Sequence, residues 1–338
     1  MPPSDSWNGE EADVKNEDGD VPKALSATQR SLLELFVDVL GVTPLGIHDD
    51  FFELGGDSLM ALRLFERIDE VLGKKLPASV LFDAPTIDRL ATLVEGQPTS
   101  PRTLVPIQTH GSKRPFFCVP GLDDEVLALG PLSRHLGGDQ PFYALHAREL
   151  QATASAPIPI ATLAAHYVAT VRSVDPGPIL IGGYSGGGRV AFEMARVLAM
   201  DGQQAALVAL FDSSWTVRAQ TIAIRRLFDY AKEHQLTLDD RLRLMRTVQA
   251  HRRHIPRPYS GRVDLFRVQD TQDEPDLGWR RFAPDLHIHH VPGDHLSALR
   301  EPHVRHLADR LKAVIENLQL ATAAHDTPQL PANGGEPQ

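Results

Sequence analysis

The sequence has one cysteine and no long apolar run. Cys118 is the only cysteine among 338 residues, so no intrachain disulfide can form, and its apolar neighbours favour a buried structural thiol. A membrane-spanning helix needs about 18 or more consecutive apolar residues, and the sequence has no such stretch. The first twenty residues are acidic and polar, unlike a secretory signal. We therefore expect a cytoplasmic protein that neither crosses nor binds a membrane.

Positive charge is also scarce. Lysine and arginine together number 34 against 44 aspartates and glutamates, and the formal net charge is −10. A surface with this balance is poorly suited to tracking phosphates, so nucleic acid is not an expected partner. The length allows one large domain or two unequal ones, and the composition is that of a globular protein.

The most informative stretch is the run PILIGGYSGGG at residues 178–188. It predicts a buried strand, a very tight turn and an amphipathic helix, with Ser185 at the turn. Gly183 and Gly187 have no side chains, which lets strand and helix approach closely. Glycine-rich turns of this kind also bind phosphates, but the Gly-x-Ser-x-Gly pattern in this setting favours a nucleophilic serine.

Strand and helix patterns alternate on both sides of this turn, which is typical of a parallel sheet covered by helices on both faces. The predicted strands are 116–119, 142–145, 179–183, 206–211, 262–268 and 286–291, and the predicted helices are 125–136, 160–174 and a last one from Glu301 to near Leu318.

The preceding region, from Ser26 to about Glu95, has helical periodicity throughout. Helices are predicted after Ser26, from Ser58, and over 86–94, with Thr86 as the cap of the last one. The string DDFFELGGDSL at residues 49–59 joins the first two. By position alone, Ser58 would be an ordinary helix N-cap.

The complete string resembles the phosphopantetheine attachment site of acyl and peptidyl carrier proteins, in which the serine of Asp-Ser-Leu carries the prosthetic arm. The resemblance implies that Ser58 holds a covalent 4'-phosphopantetheine. A phosphodiester at that position would lie at a helix N-terminus, where free N–H groups and the helix dipole favour an anion.

The second region resembles the α/β-hydrolase fold, and more narrowly the terminal thioesterase domains of nonribosomal peptide synthetases and polyketide synthases. The resemblance implies a small all-α, four-helix carrier domain followed by an α/β-hydrolase domain with a mostly parallel sheet, helices on both faces and a helical lid insertion. The expected boundaries are a disordered acidic leader at 1–24, the carrier domain at 25–96, a linker at 97–103, the thioesterase domain at 104–320 with its lid at about 214–260, and a disordered tail at 321–338.

This family places serine, acid and histidine in that order along the chain, each on a loop at the carboxyl end of a strand. The resemblance assigns Ser185 as nucleophile and His295, in the run PGDH, as its base. The acid has two candidates. Asp212 follows the strand after the serine, where terminal thioesterases place it, and Asp270 follows the next strand, where many other hydrolases of this fold and stand-alone editing thioesterases place theirs. The fused carrier domain implies a terminal type, so the resemblance assigns Asp212 as the acid, with Asp270 as the alternative.

The backbone N–H of Gly186 is the expected first oxyanion donor, and the N–H of Gly121 is the expected second. The family commonly has His-Pro-Ala-Gly where this chain has Val-Pro-Gly-Leu, so the second donor is less well marked. A metal site built from His287, His289 and His290 is disfavoured because no further ligand set has metal spacing.

The predicted lid is basic within an acidic chain. Its arginines suit solvated helix faces, or contact with the acidic carrier domain, its phosphate or a substrate carboxylate. They are Arg218, Arg225, Arg226, Arg241, Arg243, Arg246, Arg252 and Arg253.

The resemblance thus implies a carrier–thioesterase didomain that holds an acyl or peptidyl thioester on phosphopantetheine and releases it by hydrolysis or macrocyclisation, in nonribosomal peptide or polyketide biosynthesis. The implied partners are a phosphopantetheinyl transferase, upstream synthetase modules and the thioester substrate. Two alternatives stay open. An editing thioesterase would be favoured if Asp270 were essential, and a non-catalytic carrier and docking protein would be favoured if Ser185 were dispensable.

Overall fold

The structure is a computed structural model that describes residues 25–56, 58–76, 78, 80–96, 103–122, 126–147, 150, 154–216, 238–269 and 274–325. The predicted leader, most of the predicted linker, part of the lid and the last thirteen residues of the predicted tail lie outside these ranges.

The N-terminal region is helical. Its helices are α1 (Ala27–Leu40), α2 (Ser58–Leu72), α3 (Val80–Asp83) and α4 (Ile87–Val94). Thr86 caps α4 by accepting the Arg89 N–H, and α2 begins at Ser58, both as the sequence predicts. The resemblance implied four helices, but the sequence pattern located only three of them, because the single turn of α3 is too short for a periodic pattern to be visible.

The core of this helical region is made of fully buried apolar side chains from the helices and from the loop between α1 and α2. The rings of Phe36 in α1 and Phe51 in that loop meet edge to face, with 5.4 Å between their centroids. Phe51 is completely buried. The loop that precedes Ser58 is therefore anchored in the core rather than free to drift.

The C-terminal region is built on one seven-stranded sheet. Its strands lie in the order β1-β3-β2-β4-β5-β6-β7, and all neighbours are parallel except β1 and β3. The strands are β1 (Leu104–Gln108), β2 (Phe116–Val119), β3 (Phe142–Leu145), β4 (Leu180–Tyr184), β5 (Leu207–Phe211), β6 (Val263–Val268) and β7 (Leu286–Val291).

Strand β1 is the one strand in the described part of the chain that the sequence did not predict. It is an edge strand that contains Pro106 and buries little besides Val105. Proline is tolerated at an edge because its missing N–H interrupts no inner ladder, but it hides the strand from a search for apolar runs.

Helices cover both faces of the sheet. On one face, the crossover helix (Ile160–Val174) packs beside the elbow helix (Gly186–Met200). On the other, a short helix (Gly130–Leu136) packs beside the C-terminal helix (His303–His325). The prediction of a mostly parallel sheet between two helical layers is confirmed.

Two helix predictions need correction. The expected helix at 125–136 is, over its described residues, a 3-10 turn at Val126–Leu129 followed by the short helix, because Pro131 cannot donate an N–H within a continuing helix. The C-terminal helix runs to His325 instead of ending near Leu318, so residues 321–325, expected to be disordered, are helical.

The predicted lid is described only in part. It contributes the lid helix (Leu238–Arg253), while residues 217–237 lie outside the described ranges. Within the ranges that the structure describes, no helix combines the length and apolar composition needed to cross a bilayer.

Candidate active site

Ser185 occupies the turn between β4 and the elbow helix. Its backbone has φ 53° and ψ −120°, a left-handed conformation that non-glycine residues rarely adopt. Its N–H donates to the Phe211 carbonyl at 2.9 Å, which ties the turn to the end of β5. Strain of this kind persists only where the surroundings enforce it, and it is a feature of functional turns.

The backbone around this turn approaches Gly183 and Gly187 too closely for either position to carry a side chain. A Cβ on Gly183 would lie 2.4 Å from the carbonyl of Gly187, and a Cβ on Gly187 would lie 2.1 Å from the carbonyl oxygen of Pro120. Real Cβ atoms do not approach backbone this closely, so both positions require glycine. The two glycines let the helix start directly against the strand and project the serine outward.

Ser185, His295 and Asp212 form one hydrogen-bonded line. His295 Nε2 lies 3.0 Å from Ser185 Oγ, and His295 Nδ1 lies 2.6 Å from Asp212 Oδ2. An ionised carboxylate only accepts, so Nδ1 carries the proton and Nε2 is the free acceptor for the serine hydroxyl. This is the arrangement that a general base needs to activate a serine.

Asp212, which follows the carboxyl end of β5, is held by two hydrogen bonds with β6. Its N–H donates to the Phe266 carbonyl at 2.8 Å, and its Oδ1 accepts the Val268 N–H at 3.2 Å. The residue is 8% exposed. Because β6 fixes one carboxylate oxygen, the other points at His295.

His295 stands on a tight turn after β7. The Asp294 carboxylate accepts the N–H groups of Leu296 and Ser297, each at 2.9 Å, which shapes the loop locally. Tyr184 stacks on the imidazole with 5.2 Å between ring centroids and 20° between planes. Its hydroxyl also donates to the His295 carbonyl. Tyr184 was not among the predicted site residues, although it directly precedes the serine in the Gly-x-Ser-x-Gly pattern.

The two segments that carry the expected oxyanion donors pack against each other. Gly186 is the first residue of the elbow helix, where backbone N–H groups have no intrahelical partner. The Leu122 side chain, next to Gly121, would be only 2.4 Å from a Cβ placed on Gly186. The loop after β2 therefore packs against the start of the elbow helix, as an oxyanion site made from these two segments requires.

Two further predictions concern Asp270, the alternative acid, and the histidines of β7. Asp270 lies outside the described residues. His287 pairs with Asp285 at 2.9 Å and His289 with Asp264 at 2.8 Å. No group of three or more potential ligands with metal-binding geometry is found where the chain is described.

The lid helix and the elbow helix share a partly charged interface. Arg189 donates to the Ser214 carbonyl and lies over the Trp215 ring, 4.5 Å from its centroid. Burial lowers the Arg189 pKa to about 10, so the group stays charged near pH 7. Nearby, Glu193 lies 3.4 Å from His254 Nε2.

The loop before Ser58 is also shaped by a close approach. A Cβ on Gly56 would lie 2.3 Å from the Phe51 ring, and the Gly56 N–H donates to the Phe51 carbonyl at 2.9 Å. Ser58 then opens α2, where unpaired backbone N–H groups suit a phosphate. A serine at a helix start, after a loop held at the core, fits the attachment of a phosphodiester.

Both regions of the chain match known protein families. Residues 30–94 match the family described as phosphopantetheine attachment site, and residues 114–266 match the thioesterase domain family. Chondramide synthase cmdD of Chondromyces crocatus is 31% identical over 90% of this chain, but the chain spans only 9% of that relative's length.

Two solved structures share the fold. The four-domain nonribosomal peptide synthetase holo-AB3403 is 24% identical with a TM-score of 0.54, over 93% of this chain and 27% of its own. The NocB thioesterase domain, solved as a covalent complex with a fluorophosphonate nocardicin G analogue, is 26% identical with a TM-score of 0.52. That match covers 61% of this chain and 95% of the NocB domain.

Each family match falls on the region whose fold and residues had suggested it. The chain therefore has a phosphopantetheine-binding carrier domain followed by a thioesterase domain of the α/β-hydrolase fold, and its relatives include nonribosomal peptide synthetases.

Proposed function

We propose that this chain releases an acyl or peptidyl group from its own carrier domain by serine-dependent thioester cleavage. The observation that carries the proposal is the placement of His295 between Ser185 and Asp212, with both contacts within hydrogen-bond distance. A structural role for these residues would not require a strained serine facing an imidazole whose second nitrogen is bound by a buried carboxylate.

Ser58 is the proposed attachment point of the cofactor. When bound there, phosphopantetheine supplies a thiol that carries the acyl group as a thioester. Attachment through Ser58 keeps the thioester on the same chain as Ser185, which raises the effective concentration of substrate at the site to roughly millimolar for a short flexible tether.

In the first half of the reaction, Ser185 Oγ attacks the thioester carbonyl while His295 Nε2 takes the hydroxyl proton. The negative charge that develops on the carbonyl oxygen is stabilised by the N–H groups of Gly186 and Gly121. His295 then returns the proton to the departing sulfur, and an ester on Ser185 remains. Asp212 stabilises the imidazolium and keeps the ring in the productive tautomer.

In the second half, a nucleophile attacks the ester on Ser185, and His295 again acts first as base and then as acid. Water as nucleophile releases a carboxylic acid, whereas an internal amine or hydroxyl of the acyl chain releases a ring. Both outcomes use the same three residues, so the choice between them depends on what the pocket admits. The partners that this function requires are a phosphopantetheinyl transferase and upstream synthetase modules.

Intact-protein mass spectrometry tests the proposal directly. The full chain is treated with a phosphopantetheinyl transferase and an acyl-CoA, and wild type is compared with Ser58→Ala and Ser185→Ala. We expect the acyl-pantetheine mass only on proteins that retain Ser58, and we expect the acyl group to be lost from wild type but to persist on Ser185→Ala.

Two results would contradict the proposal. Failure of the arm to attach at Ser58 would remove the carrier role and leave a plain hydrolase. Equal persistence of acyl groups on wild type and Ser185→Ala, across short, long and peptidyl chains, would show that the thioesterase domain is not the catalyst.

A further inference from the structure

His251, on the lid helix, lies beside the proposed oxyanion site. Its Cε1 atom is 3.4 Å from the point where a Cβ on Gly186 would stand, and the Leu122 side chain approaches the same point. The residue is only 7% exposed. The imidazole therefore lies beside Gly186, the residue whose N–H is the first proposed oxyanion donor.

The Nδ1 atom of His251 is buried and has no hydrogen-bond partner among the residues that the structure describes. Leaving a buried polar atom unpaired costs about 1–3 kcal/mol, so this nitrogen lowers the free energy of unfolding of the protein. The polar neighbours are engaged elsewhere, since Arg189 is bound to the Ser214 carbonyl and His254 lies next to Glu193.

The ring is neutral near pH 7. Burial is the main cause, and electrostatic interactions with Arg189 and His254 add to it, so the pKa of His251 lies well below its ordinary value. A neutral imidazole has one nitrogen that donates and one that accepts. In either tautomer, Nδ1 suits one half of an amide group, accepting from its N–H or donating to its carbonyl.

His251 also lines a small cleft next to the elbow. Arg246 and Thr247 join it from the lid helix, and alkyl side chains that include Ile158 and Leu163 form the other side. The cleft has room for little more than one water-sized group, so it suits a single polar group of the acyl chain, such as an amide, and not the whole chain.

We propose that His251 is a substrate-binding residue that forms a hydrogen bond with an amide group of the acyl chain close to its thioester carbonyl. The site then favours peptidyl or N-acylaminoacyl groups over plain fatty acyl groups. A fatty chain would leave Nδ1 buried and unpaired, and sites built to bind a polar group discriminate strongly against analogues that lack it. This inference rests on the proposed function of Ser185.

The test compares two N-acetylcysteamine thioesters of matched length, an N-acetyl dipeptide and a fatty acyl chain, on the full chain. In His251→Leu, we expect kcat/KM for the dipeptide to fall roughly ten- to hundredfold, and that for the fatty chain to change by less than about threefold. His251→Asn is the matched control, because its amide places a polar atom near the position of Nδ1, and it should retain most of the preference for the dipeptide.

Thermal unfolding separates binding from structure. Because His251→Leu removes a polar atom that the folded protein leaves unpaired, its midpoint should equal or exceed that of wild type. A fall in the midpoint together with equal losses on both substrates would overturn the inference in favour of a structural role.

An unchanged ratio of the two kcat/KM values in His251→Leu would also overturn it. Ser185→Ala distinguishes this failure from a failure of the proposed function. If Ser185→Ala cleaves both thioesters as fast as wild type, both proposals fall, whereas Ser185-dependent turnover with an unchanged ratio removes only the role of His251.

Discussion

Tyr184 and His295 are joined twice, through their rings and through a hydrogen bond from the tyrosine hydroxyl to the histidine backbone carbonyl. The two residues are 111 positions apart in the sequence. The residue directly before the nucleophile thus holds the loop that carries the proposed base, so the spacing between Ser185 and His295 depends on both contacts.

Replacing Tyr184 should therefore lower activity in two steps. Tyr184→Phe keeps the stacked ring and loses one hydrogen bond, a loss of about 1 kcal/mol or roughly fivefold in kcat/KM. Tyr184→Ala also removes the ring that stacks on the imidazole of His295. It should lower kcat/KM at least tenfold further, because a small displacement of a catalytic group causes a large loss of rate. Steady-state kinetics on an N-acetylcysteamine thioester measure both. Equal activity of Tyr184→Phe and Tyr184→Ala would show that the stack does not position His295.

The choice between the two candidate acids is testable by paired substitutions. Asp212 Oδ2 contacts His295 Nδ1, so Asp212→Asn should lower kcat by about 10³–10⁴-fold, as removal of the charge does in Ser-His-Asp sites generally. Asp270→Asn should retain activity within about threefold. A large loss in Asp270→Asn with an active Asp212→Asn would reverse the assignment and favour the editing thioesterase.

The sequence predicted the fold because each element had a local signal. Buried parallel strands are near-continuous apolar runs, and the helices between them have clear periodicity, so the single sheet with helices on both faces and the main carrier helices could be recognised from the chain alone. Strand β1 had no such signal, because it is an exposed edge that contains proline.

The resemblance to terminal thioesterases predicted Ser185, Asp212 and His295, and the structure brings them within hydrogen-bond distance; their catalytic roles stay predictions. Strand position alone does not separate Asp212 from Asp270, because both follow a strand of the same sheet, so the choice of Asp212 depended on the resemblance. The contact of Tyr184 with His295, and that of His251 with the elbow, join residues distant in the chain, and no local pattern marks either one.

In the loop before Ser58, Gly56 should not tolerate a side chain. A Cβ on Gly56 would meet the Phe51 ring at 2.3 Å, so Gly56→Ala must displace a ring packed in the core. We expect the rate of phosphopantetheine transfer to fall at least tenfold, measured by the mass gained on the intact protein.

Gly46→Ala is the matched control for this change, because a Cβ there would have only ordinary contacts, the nearest at 3.4 Å from the Asp49 carboxylate. It should be modified at nearly the wild-type rate. Equal rates for the two variants would show that the loop before Ser58 does not depend on the packing of Gly56 against Phe51.

The stability of the thioesterase sheet should depend on pH through Asp264. Its carboxylate is fully buried between β5 and β7, and it accepts from Arg262 at 2.8 Å and pairs with His289 at 2.8 Å. Burial acts to raise its pKa, but the hydrogen bonds from His289 and Arg262 outweigh it, and the net pKa lies below the ordinary value of 3.8.

A carboxylate with a lowered pKa stabilises the fold above the unfolded-state pKa, and that contribution is lost as the pH falls through the folded-state value. Asp264→Asn should therefore unfold at lower urea concentration near pH 7, with a loss of about 2 kcal/mol because Arg262 and His289 lose their carboxylate partner. The difference from wild type should hold down to about pH 4 and shrink below it. Urea unfolding of both proteins between pH 3 and pH 7 measures this, and a constant difference over the whole range would show that the ionisation of Asp264 does not contribute.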